Sequence, residues 1–99
     1  MRNPKVENKR NRNIISERLR RARQLFDPPL TQDQLAGRLA ARQVSLDRVA
    51  ITKVENGQRC VFDFELKVLA EVLEIDVRWL LGIQASGGPK VSRGLKDEL

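Results

Sequence analysis

Apolar residues along this chain recur at helical intervals between short polar breaks, and nowhere alternate as a strand would. Ile15, Leu19, Ala22 and Phe26 follow one another at spacings of four, three and four, with arginines on the other faces, which predicts an amphipathic helix over residues 14–26. Asp27-Pro28-Pro29 ends it, because proline has no amide hydrogen and pushes the residue before it out of the helical region. In "LTQDQLAGRL", Thr31 and Gln34 are spaced as a capping box, with Leu30 and Leu35 as its hydrophobic staple; the second helix starts there and is expected to end near Arg42 or Gln43. In "SLDRVAITK", Asp47 is the cap, Leu46 and Ile51 are the staple, and Gly57 is suited to close a third helix over residues 47–56. Asp63 opens a fourth helix with Phe64, Leu66, Val68, Leu69, Val72 and Leu73 as its apolar positions. Asp76, flanked by Ile75 and Leu80, starts a fifth. The fold class is therefore all-α: a compact body of five short helices over residues 14–83. A basic arm (1–13) and a tail (84–99) rich in small and turn-forming residues flank it, and both are expected to be flexible.

A length of 99 residues allows one small core. No apolar run reaches the length of a membrane span, and "MRNPKVENKRNRN" lacks the apolar centre of a secretion signal, so the expected location is the cytoplasm. The terminal Lys96-Asp97-Glu98-Leu99 spells a retention signal that has no meaning without entry to the secretory route. Cys60, the single cysteine, is read as a small core residue. The chain has no histidine, phosphate-binding glycine loop or catalytic signature, so no enzyme, metal, cofactor or small-molecule ligand is expected.

Charge is more informative in its distribution than in its net value of +6. Residues 1–23 carry nine cations against Glu7 and Glu17, whereas residues 60–83 carry Lys67 and Arg78 against five carboxylates. A basic front and an acidic back suit a polyanion on one side. If the helix over 47–56 buries Ile51 and Val54, then Arg48, Val49, Thr52 and Lys53 face outward.

Two capped helices in series, the first with Gln32, Leu35, Ala36 and Leu39 and the second with Ile51, Val54 and Glu55 before Asn56-Gly57, look like a helix-turn-helix. Together with "RLRRAR" before them and "LKVLAEVLEIDVRWLLG" after them, they resemble the Xre family of lambda repressor and Cro-like DNA-binding regulators, from about Ser16 to Gly82. The chain departs from that pattern in its second turn, where "AARQVSL" replaces a tight glycine-centred connection, and in Asp27-Pro28-Pro29 before the second helix. Ala36 would permit close crossing of the second and third helices. Gly37 beside it costs up to about 1 kcal/mol of helix stability against alanine.

The resemblance implies a lambda-repressor-like domain that binds a double-stranded operator as a transcriptional regulator, most simply a repressor. Arg48, Val49, Thr52 and Lys53 would face the major groove, with Arg48 matched to guanine, Val49 to a thymine methyl, and Thr52 and Lys53 to a base or a phosphate. Gln32 would clamp a phosphate at a helix N-terminus and also steady the recognition helix, and Asn56, Gln58 and Arg59 would grip the backbone beside Arg42 and Gln43. Lys9, Arg10 and Arg12 of the arm would follow a phosphate strand or enter a minor groove. Arg23 and Glu55 are implied as a structural ion pair. A homodimer through Trp79, Leu80, Leu81 and Ile83, most of which core packing would explain equally well, would read half-sites about 34–36 Å apart. The alternative is a protein-interaction module, such as the antitoxin half of a toxin–antitoxin complex or a transcription adaptor.

Overall fold

The computed structural model describes residues 13–83, which form five α-helices and no strand among them. Helix α1 (Ser16–Gln24) is shorter than its apolar periodicity suggests. Asn13 starts it by accepting the Ile15 amide on Oδ1 at 3.1 Å. It stops before Phe26 because the chain turns back: the Leu30 amide bonds the Arg23 carbonyl at 3.0 Å, and Phe26 packs against the core from the turn, under the Arg38 guanidinium. Helix α2 (Gln32–Ala41) has the full capping box, with Thr31 Oγ1 accepting the Gln34 amide and Gln34 Oε1 accepting the Thr31 amide.

The enlarged connection after α2 is ordered by its own backbone. Gln43 adopts a left-handed conformation (φ 64°), so that its amide bonds Ala40 and the Val44 amide bonds Leu39, each at 2.9 Å. That closure drops Val44 and Leu46 into the core and leads directly to Asp47, whose carboxylate accepts the Ala50 amide at 2.8 Å and opens α3 (Arg48–Glu55). Helix α3 closes in the same way on Gly57 (φ 75°), with the Gln58 amide on the Lys53 carbonyl at 2.7 Å. Helix α4 (Asp63–Leu73) is preceded by a bond from the Phe62 amide to Glu65 and followed by Glu74 in the left-handed region (φ 60°). Helix α5 (Val77–Leu80) begins on Asp76, which accepts the Arg78 amide.

The core gathers side chains from every helix: Leu19 and Ala22 of α1, Leu35 and Leu39 of α2, Ile51 and Val54 of α3, Leu69 and Leu73 of α4, and Leu80 of α5. Helix α3 packs on α1 and α2, while α4 packs on α2 and α5. Two expectations change here. Cys60 is exposed, not in the core, because it falls in the extended link between α3 and α4. Leu80 is fully buried and so belongs to the core and not to a free surface, whereas Ile83 is exposed and Trp79 is half-buried beneath Arg18. No helix of the described residues is long and apolar enough to cross a membrane.

Candidate nucleic-acid interface

Helix α3 buries one side and presents the other. Ile51, Val54 and Glu55 point into the body, and Arg48, Val49 and Lys53 point out, with Thr52 at the edge toward α2. Val49 is 55% exposed on this outer side. The connection from α2 folds inward at Val44 and Leu46, so it does not cover this ridge.

What makes the ridge rigid is a polar network along the inner edge of α3. Arg23 of α1 donates from Nε and Nη2 to the two carboxylate oxygens of Glu55, at 2.8 and 2.9 Å, and from Nη1 to the Leu30 carbonyl at 3.0 Å. Gln32, in the first turn of α2, donates from Nε2 to Glu55 Oε1 at 3.0 Å. Thr52 Oγ1 in turn donates to Gln32 Oε1 at 2.9 Å. Glu55, with a side chain only 2% exposed, is thus a buried charge met by a two-pronged cation and an amide, the arrangement a desolvated carboxylate requires. The pair implied for Arg23 and Glu55 is present. Gln32, implied as a phosphate clamp, turns its side-chain amide inward to tie α2 to α3.

Three further contacts hold α3, and none of them has a local sequence signal. Ser16 Oγ donates to the Val54 carbonyl at 2.6 Å, Asn13 Nδ2 donates to the Arg59 carbonyl at 3.0 Å, and Arg20 Nη2 donates to the Glu55 carbonyl at 3.1 Å and to Asn56 Oδ1. All three residues come from α1 or its lead-in and bond the end of α3 or the loop beyond it. At the other end, Arg48 Nε lies 3.5 Å from Asp33 of α2.

The remaining candidates divide. Lys53, Asn56 and Gln58 are exposed on or just beyond the ridge. Arg59 is half-buried and folds back to the Cys60 carbonyl and the buried Glu65 carboxylate. Arg42 pairs with Glu71 of α4, and the hydrogen bond from Arg42, with a second from Lys67, holds the Glu71 carboxyl below its ordinary range. Gln43 is exposed at the left-handed turn. Lys9, Arg10 and Arg12 lie outside the described residues. Among the described residues no group of three or more His, Cys, Asp or Glu side chains is placed to hold a metal ion. No protein-family model, curated protein or solved structure matches this chain.

Proposed function

We propose that this protein is a sequence-specific DNA-binding transcriptional regulator of the lambda-repressor-like kind, acting as a repressor by occupying an operator with α3 in the major groove. One observation carries the reading: α3 offers Arg48, Val49 and Lys53 to solvent while its opposite edge is bonded to α1 and α2 through Glu55. A major groove admits one α-helix, and a helix that reads base edges has to be held at a defined height and rotation. The network supplies that restraint, and the basic front supplies the sequence-independent attraction to phosphate. Arg48 fits the acceptor pair of guanine, and Val49 fits a thymine methyl. Lys53, Asn56 and Gln58 stand where the backbone passes, and the basic residues of the 1–13 arm add to the same attraction. The mechanism is occupancy and involves no chemical step, and the protein acts in the cytoplasm.

The operator-bound form is a homodimer. Its support is an apolar groove of about 290 Å³ lined by Ile14, Cys60, Val61, Leu66 and Leu81, at residues adjoining the exposed Ile83 and the stacked rings of Phe62 and Phe64. The same groove favours the second reading, a protein-interaction module with a different chain as partner. Selection of bound sequences from a random DNA pool, followed by sedimentation of the purified chain with and without the selected duplex, separates them. The DNA reading expects a two-fold symmetric consensus and two chains per duplex. Recovery of unselected sequences, with no more affinity than any basic protein has for DNA, would overturn it.

A further inference from the structure

Thr52 has a committed proton. Its hydroxyl donates to Gln32 Oε1, and the direction of that bond is forced from the far end of the network. Glu55 is a carboxylate bonded by Arg23 on both oxygens, and a carboxylate can only accept. The Gln32 amide next to it must therefore present Nε2 to Glu55, at 3.0 Å, because the reversed amide would set oxygen against oxygen. That leaves Gln32 Oε1 toward Thr52, and an amide oxygen can likewise only accept, so the single hydroxyl hydrogen of Thr52 points inward. What Thr52 has left for the solvent side is its lone pairs and its methyl group.

We infer that Thr52, at the half-exposed α2-side edge of the α3 ridge, is an obligate acceptor and selects an exocyclic amine, adenine N6 or cytosine N4, on the DNA strand it faces. The inference rests on the DNA-binding reading above and narrows it. Each base pair shows one amine in the major groove, on the adenine or cytosine, and keto oxygens on its thymine or guanine partner. An acceptor at a fixed height therefore decides which strand carries the amine and leaves A·T and C·G alike acceptable. The same logic removes Thr52 from the phosphate contacts, since a phosphate oxygen accepts and Thr52 has no proton to offer it. Gln32 acts here through Thr52, as a positioning residue that sets the polarity of the hydroxyl.

The test uses the full chain and the sequence it selects from a random pool, with all four bases then placed in turn at each position of the half-site. Wild type is expected to show one position where A and C are bound about equally and G and T about fivefold more weakly, the worth of one net hydrogen bond. Thr52→Val, equal in shape and without the hydroxyl, should abolish that preference at that position alone. Gln32→Met frees the hydroxyl to donate, and G and T should rise to near parity with A and C there while the preferences set by Arg48 persist. If wild type selects a sequence but Thr52→Val leaves every base preference intact, or if the position it controls favours G or T, the Thr52 assignment is overturned and DNA recognition stands. If wild type selects no sequence at all, the DNA reading falls and takes this assignment with it. Thr52→Val lies at the half-exposed edge of α3, so its loss of preference can be read in a folded protein.

Discussion

The Arg23 guanidinium grips both carboxylate oxygens of Glu55, at 2.8 and 2.9 Å, across the contact between α1 and α3. The two side chains are 12% and 2% exposed, so Glu55 is nearly cut off from water and depends on its protein partners. Arg23→Ala leaves the buried carboxylate with only the Gln32 amide and the Arg20 guanidinium at 3.5 Å, and should cost up to about 3–5 kcal/mol of folding stability. Urea denaturation at neutral pH checks this. A loss below 1 kcal/mol, as expected for exposed pairs, would mean that Glu55 is hydrated in solution.

Arg48 and Lys53 should separate specificity from attraction. Both side chains are exposed on α3, so alanine at either should leave the thermal midpoint within the small range of surface substitutions. Arg48→Ala is expected to cost about 1–3 kcal/mol on the selected operator and to relax the preference for guanine at one position. Lys53→Ala should weaken binding to all sequences alike and reduce the log-log salt slope by about 0.9. Binding isotherms on operator and scrambled duplexes, at several salt concentrations, distinguish the two patterns.

Gly37 sits on the solvent side of α2, and a methyl group built there would meet nothing within 4 Å. No turn or close approach requires glycine at that position. Gly37→Ala should therefore stabilise the fold by about 0.5–1 kcal/mol, from helix propensity alone. For a domain of this size that is a rise of roughly 2–8 °C in the thermal midpoint. A fall in the midpoint would show that α2 is crowded there in solution.

Glu71 should give the protein a modest sensitivity to acid. Hydrogen bonds from Arg42 and Lys67 lower its folded pKa below the ordinary 4.5, so the folded state favours the charged carboxylate. The resulting stabilisation is fully present above pH 4.5 and is lost as pH falls through the lowered folded value. Glu71→Gln removes it. In urea titrations the wild type should exceed the variant by a small constant margin near neutral pH, and the margin should close below pH 4.5. A margin unchanged through that acid range would place the Arg42 and Lys67 side chains in solvent, away from Glu71.

Caps and staples are local, and so three of the five helix starts could be read from neighbouring residues, whereas the first helix begins at Ser16 without a side-chain cap on Ile15 and the fourth is closed by Glu65 behind Phe62. Thr31 with Gln34, Asp47 and Asp76 each accept the amides that their spacing assigns to them. Of the outward set of α3, Arg48, Val49 and Lys53 were legible for the same reason, since burying Ile51 and Val54 leaves one face for them, whereas Thr52, expected outward with them, is half-buried and bonded to Gln32. The partners of Ser16, Asn13 and Arg20 were not, because each bonds a residue more than thirty positions away and only the packing of α1 against α3 brings them together. Arg42 and Arg59 were implied as contacts to the DNA backbone, yet Glu71 and Glu65 meet them once α4 is in place.

By itself, the sequence determined where the capped helices begin at Thr31, Asp47 and Asp76 and which stripe of each is apolar, because those depend on hydrogen bonds and spacings within a few residues. Tertiary structure alone decided that Cys60 is exposed, that Leu80 is core, and that the Gln32 side chain is turned toward Glu55 and Thr52. Burial and the direction of a hydrogen bond belong to pairs of surfaces, and no single helix contains both members of the pair.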